Sequence, residues 1–223
     1  MMAESRRQQA WNLAEIAAFA AVVVADSVGL IPLTQTIVLL PLVWLLLRLR
    51  REPWASIGFS RPTSIPRAIL FGVIAGVAME LFAVYITTPA ISAYFGVQPD
   101  YSDFKAIEGS IPVLLIFLAL SWTLAAFGEE ICFRGFFMER IARIFGGGSL
   151  AWTLSLALSS VFFGWGHTEQ GVSGCMQEGL SGFLLGVLFL LARKNLMLPI
   201  VAHGTSNTLA FILIYLGKYP EVG

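Results

Sequence analysis

The 223-residue sequence predicts an all-α fold, a polytopic transmembrane bundle of about seven helices. Three observations lead there. The chain is 57% hydrophobic and only 13% charged, with a mean hydropathy of +0.78, outside the mixture from which soluble domains are built. Apolar runs long enough to cross a hydrocarbon layer about 30 Å thick recur along it. Those runs are uniformly apolar and do not alternate, which selects helices over a membrane barrel.

Taken in order, the first span covers 11–29. It follows a short polar start, MMAESRRQQA, and no small-residue cleavage site follows, so it is expected to be a retained helix and not a removed signal peptide. Gly29-Leu30-Ile31-Pro32 forms a tight turn into a second span at 31–47. The basic stretch RLRRE at 48–52, with Trp54 behind it, suits an interfacial linker lying on anionic lipid head groups. A third span at 66–88 ends at Pro89, and the loop to Ser110 carries Asp100, Asp103 and Glu108. The fourth span covers 111–133, its helix continuing to about residue 143 before a turn at Gly146-Gly147-Gly148. Spans at 150–167, 179–192 and 196–216 complete the bundle, the last two joined near Asn195. Residues 1–110 are thus N-terminal membrane helices and linkers, and 111–216 a core holding the polar motifs, in one membrane domain without internal repeats.

Charge excludes some functions and sets an orientation. Fourteen basic residues balance fourteen acidic ones, so nothing points to nucleic acid. Lys and Arg favour the cytoplasmic side of short loops. With the N-terminus inside, twelve cations (Arg6, Arg7, Arg48, Arg50, Arg51, Arg61, Arg67, Arg134, Arg140, Arg143, Arg193, Lys194) lie on or toward the inside, and only Lys105 and Lys218 lie outside. The expected location is an integral membrane protein of a bacterial plasma (inner) membrane, N-terminus cytoplasmic. Two cysteines, Cys132 in a span and Cys175 in a predicted loop, make no disulfide framework.

Ionisable groups inside a bilayer cost several kcal/mol on most estimates, about 3 on insertion scales, so each is a candidate for function. They concentrate in Gly128-Glu129-Glu130-Ile131-Cys132-Phe133-Arg134, in Phe163-Gly164-Trp165-Gly166-His167, and in His203-Gly204-Thr205-Ser206-Asn207. Glu130 and Arg134 share a helix face with the acid nearer the N-terminus, an arrangement in which they neutralise each other. Glu129 lies about 100° round the helix from Glu130, beyond easy reach of the same guanidinium, and is the carboxylate left over for acid and base work. The chain has only two histidines, His167 and His203, both in or at the ends of spans. Phe163 with His167, and His203 with Asn207, share faces by their spacing of four. Glu129 stands eighteen residues before Gly147 and His167 twenty after it, so an antiparallel hairpin brings them to similar depth. His203, eight residues past Asn195, comes to about 12 Å by helical rise, so the last helix must start higher, or the other two groups sit lower, for all three to meet.

The order Glu-Glu-x-x-x-Arg, Phe-x-x-x-His, His-x-x-x-Asn over about residues 110–212 resembles the CPBP family of intramembrane proteases, which includes type II CAAX prenyl endopeptidases and bacteriocin-processing Abi proteins. The resemblance implies hydrolysis of a peptide bond in a membrane-associated, prenylated or leader peptide. It implies Glu129 as general base activating water with His167, His203 and Asn207 as oxyanion donors, and Glu130, Arg134 and Phe163 as support. No metal is the favoured expectation; the alternative is a divalent ion such as zinc on Glu129, His167 and His203, although His-Glu-x-x-His is absent. Expected partners are membrane lipid and a membrane-associated peptide or protein.

Other functions use the same residues differently. Gly179-Leu180-Ser181-Gly182 has the shape of a rhomboid serine-protease loop, but His203 follows only 22 residues after Ser181 and small residues at this spacing also serve helix packing. Aspartyl chemistry is excluded, since of Asp26, Asp100 and Asp103 only one lies in a span. A proton-coupled transporter could relay through Glu15, Asp26, Glu80, Glu129 and the histidines, and a non-catalytic immunity or scaffold protein could keep the same motifs. Glu15, Asp26 and Glu80 are expected to face other helices or snorkel, without chemistry.

Overall fold

The computed structural model describes residues 2–219, with side chains from Arg6 onward. Among the described residues seven long helices form the protein: α1 (Met2–Ser27), α2 (Thr36–Arg50), α3 (Ile65–Phe95), α4 (Ile111–Ile144), α5 (Ser149–Trp165), α6 (Gly171–Leu191) and α7 (Met197–Tyr215). Five helical stretches, including Arg6–Ser27 within α1 and Thr168–Leu191 around α6, are long and apolar enough to cross a membrane. The spans expected at 31–47 and 150–167 are the shorter α2 and α5, of 15 and 17 residues.

Leu70 and Phe71 on α3, and Leu115 and Ile116 on α4, are all exposed outward, whereas Glu15, Glu130, Arg134 and Arg140 are fully buried. This inversion of the water-soluble pattern marks a helical membrane bundle, because lipid tails solvate apolar side chains and only the interior can satisfy charge.

Two expected boundaries move for local reasons. The third helix does not end before Pro89. Ala83–Thr87 widens to i→i+5 bonding, which absorbs the amide hydrogen that Pro89 lacks, and the helix runs on to Phe95. Gly96, at φ +72°, then closes it in the left-handed conformation. The sixth helix starts at Gly171 and not near 179, so Cys175 lies on a helix and not in a loop; both cysteines are free thiols.

Packing fixes which ends meet. Phe19 of α1 stacks on Phe137 with ring centroids 4.4 Å apart and meets Phe133 edge-on at 5.1 Å. Small residues let α3 and α7 lie close, since a Cβ on Gly72 would sit 2.6 Å from Val201 and one on Gly76 would strike the Ala202 carbonyl. At the basic end, Glu15 takes Arg50 at 2.8 Å and Arg140 at 2.6 Å. Glu52 takes Arg140 at 2.9 Å and Arg143 at 2.7 Å, and Glu139 pairs with Arg140 and Arg143. This network joins α1, the linker after α2 and the end of α4. The linker also grips the α6–α7 turn, with the Leu196 amide donating to Gly58 O at 3.1 Å and Asn195 Nδ2 to Ser60 O at 2.9 Å.

Candidate active site

The depth question resolves through the start of α7. A Cβ on Gly135 would lie 3.1 Å from Leu196 and 2.8 Å from the Ile57 carbonyl, so the last helix begins level with Gly135, well inside the end of α4. Seven residues on from Leu196, His203 comes level with Glu130, five residues back along α4, and His203 Nδ1 bonds Glu130 Oε1 at 2.9 Å. Residues 121–137 of α4 run in the wide π form, a geometry that recurs at functional sites.

Glu130 Oε1 also accepts from Arg134 Nη1 at 2.8 Å, so the expected pair is present and gains an imidazole as third member. The Arg134 guanidinium lies over the Phe163 ring, 4.1 Å from its centroid. That ring sits 4.8 Å from the His167 ring and 6.3 Å from that of His203. Phe163 thus touches three polar groups with an apolar face, which excludes water while its quadrupole favours the cation. Gly182 of α6 makes room for this stack, since a Cβ there would lie 2.9 Å from Phe163. Gly179 likewise lies against α5, at Ser160 and Gly164, so both glycines of the rhomboid-like tetrapeptide serve helix packing.

The ring nitrogens are assigned by their partners. His167 Nδ1 lies 2.7 Å from the Phe163 carbonyl; a carbonyl oxygen only accepts, so Nδ1 holds the proton and neutral His167 presents Nε2 as a lone pair. In His203 the Glu130 carboxylate only accepts, so Nδ1 donates to it and Nε2 is the ring nitrogen left without a partner among the described residues. Asn207 donates through Nδ2 to Ser121 Oγ at 3.1 Å, orienting its amide and leaving a second N–H.

Glu129, 6% exposed, makes no hydrogen bond or ion pair among the described residues. It lines a cavity of about 320 Å³ together with His167, His203, Asn207 and Ser121. Its strongest electrostatic neighbours are His167 and His203, followed by Arg134 and Glu130. The carboxylate without its own cation and the two imidazoles therefore face one space. Further walls come from outside the motif-bearing helices: Thr34 in the α1–α2 turn, Glu80 of α3, and Tyr101 and Phe104 of the following loop.

Sequence reading placed Glu80 outside the chemistry; it lines the cavity and accepts from Ser206 Oγ at 2.8 Å. It missed Glu178 altogether, because the sixth span was drawn from 179 and left this carboxylate outside the membrane. Glu178 lines the cavity and is the carboxylate His167 feels most strongly, ahead of Glu129 and Glu169. The signal was an acid only one residue outside a drawn boundary. Among the described residues no three His, Cys, Asp or Glu side chains are gathered so as to hold a metal ion.

A helical bundle with a lipid-facing exterior and a carboxylate, two imidazoles and an amide around an internal cavity is an integral membrane protein with the make-up of an acid–base site. Residues 111–209, from the start of α4 into α7, match the family model described as type II CAAX prenyl endopeptidase Rce1-like. Over those residues, rather less than half of the chain, the sequence is similar to that family of CAAX proteases. No curated protein and no solved structure matches the chain.

Proposed function

We propose that the protein is an intramembrane endopeptidase of the glutamic type, in which Glu129 and His167 activate a water without a metal. The observation that carries this reading is Glu129, buried and without a cation of its own, on one cavity wall with both imidazoles. Water bridging Glu129 and His167 Nε2 gives up a proton to the carboxylate as its oxygen attacks the scissile carbonyl. The negative charge that develops on the carbonyl oxygen is met by Nε2–H of a protonated His203 and the second Asn207 N–H, fixed donors in a water-poor site. The proton held by Glu129 passes to the leaving amine as the carbon–nitrogen bond breaks, and the carboxylate is regenerated. Glu130, Arg134 and Phe163 hold the two imidazoles in place.

The substrate is a membrane-associated peptide, prenylated or a leader, reached from within the bilayer. The sequence count, twelve cations on or toward one side against two on the other, supports a cytoplasmic N-terminus in a bacterial plasma membrane. The experiment is cleavage by the purified, detergent-solubilised chain, with Glu129→Gln and His167→Ala beside wild type, with and without chelator. The expected result is a loss of at least about a hundredfold in both variants and full activity with chelator. Wild-type rates in Glu129→Gln would remove the base, and abolition by chelator restored by zinc would replace water activation by a metal.

A further inference from the structure

A second cavity, of about 570 Å³, lies at the basic end, between the linker after α2, the start of α3 and the α6–α7 turn. Its lining includes Arg61, Arg67, Arg193 and Lys194, and no Asp or Glu among the described residues. Lys194 is turned to Trp152, with Nζ 4.0 Å from the ring centroid. Arg61, Arg67 and Arg193 are exposed and make no ion pair or side-chain hydrogen bond among the described residues. Other arginines of the same end are the opposite case: Arg50 and Arg140 hold Glu15, and Arg143 holds Glu52. The acids that could have served are thereby taken. Thr63 and Ser64 add hydroxyls to the cavity wall, and the Ser64 hydroxyl is not used to cap α3.

Part of the same wall is apolar. Phe71 and Leu198 line it, and Phe71 is 56% exposed on the outward surface of α3, next to Leu70. The cavity therefore joins a group of unpaired cations to the lipid-facing side of the bundle. Three cations around one space repel one another, and a phosphate relieves that repulsion while its oxygens match the paired N–H donors of guanidinium. A soluble anion would use only the charged part of the cavity. A phospholipid uses both parts, with its head group among the arginines and its acyl chains along Phe71 toward the bilayer. Such a ligand would also bridge the linker and the α6–α7 turn, which already meet through the Leu196 amide on Gly58 O and Asn195 on Ser60 O.

We infer that this cavity binds the phosphate head group of an anionic phospholipid from the leaflet at the basic end, held by Arg61, Arg67 and Arg193, and that the bound lipid fastens the linker to the start of α7. Binding is independent of the hydrolytic chemistry at the other cavity and is read without it. The full chain, purified in detergent, is titrated with phosphatidylglycerol, phosphatidylcholine or inorganic phosphate; bound lipid is counted by native mass spectrometry and the melting temperature is followed in the same samples. Phosphatidylglycerol is expected to bind as a single molecule per chain, about tenfold tighter than phosphatidylcholine, and to raise the melting temperature as a ligand of the folded state does. Inorganic phosphate at the same concentration is expected to do neither. Arg61→Gln, Arg67→Gln and Arg193→Gln, made singly so that one poorly folding variant leaves two readings, should each weaken phosphatidylglycerol binding by about tenfold. Arg48→Gln removes an exposed cation from the same end but outside the cavity, and should change it by less than about twofold. Equal affinity for the two lipids, affinity unchanged in all three cavity variants, or an equal loss in Arg48→Gln would overturn the site. Inorganic phosphate that stabilises as far as the lipid would overturn the lipid as its source, and bound lipid that leaves the melting temperature unmoved would overturn the fastening.

Discussion

Glu130 takes two donors on a single oxygen, Arg134 at 2.8 Å and His203 at 2.9 Å, at full burial. A buried pair of this kind is far costlier to halve than to replace, since the surviving partner is left as an uncompensated charge. Glu130→Gln should therefore destabilise the protein by about 3–5 kcal/mol, whereas Glu130→Leu with Arg134→Met should recover most of that loss. Thermal unfolding in detergent checks both. The double variant should still lose cleavage, because His203 no longer has a carboxylate on Nδ1; folding with wild-type cleavage would show that Glu130 orients nothing. The pairing of Glu130 with Arg134 was legible from spacing alone. That His203 joins it was not, because a contact between residues 73 apart depends on the relative height of two helices.

Among the elements, the α3–α7 contact decides where His203 sits. Gly76 meets the Ala202 carbonyl with no space for a methyl group, and Ser206, one turn on, holds Glu80. Gly76→Ala should push the helices apart and lower the melting temperature, with a cost of about 1–3 kcal/mol typical of overpacking. Gly148→Ala, in open space at φ −72°, should stay within about 0.5 kcal/mol. Equal effects would mean that close α3–α7 packing contributes nothing. The helices themselves were visible in their apolar runs, but the start of α6 was hidden. Its first turns, Gly171-Val172-Ser173-Gly174-Cys175, hold small and polar residues that resemble a loop until they are packed, with Ser173 Oγ donating to Val97 O at 2.6 Å.

Across the whole molecule, the cluster at the basic end ties the N-terminal helices to the site-bearing ones. Burial by itself would raise the Glu52 carboxyl, but Arg143, Arg140 and Arg50 outweigh it and hold the group below its ordinary value. A carboxyl lowered by folding contributes stability above its unfolded value, about pH 4.3, and loses it as pH falls through the folded value. The melting temperature in detergent should thus drop below about pH 4.3, and the drop should be shallower in Glu52→Gln. A profile identical in the variant would exclude Glu52 as its source. Glu52 lies in the linker at 51–64, so weakening it should loosen the grip of that linker on α4 before the cavity itself is affected.

From the sequence alone follow the membrane, the helices, the uneven share of cations between the two sides and the pairing of Glu130 with Arg134, because each depends on local quantities: run length, charge count, spacing on one helix. Tertiary structure decided that α7 begins level with Gly135, that His203 reaches Glu130, that Phe163 spans Arg134 and both imidazoles, and that Glu80 and Glu178 complete the wall. Those depend on how far one helix slides along another, which is set by small-residue contacts such as Gly76 on Ala202 and Gly135 beside Leu196, between positions no local pattern relates.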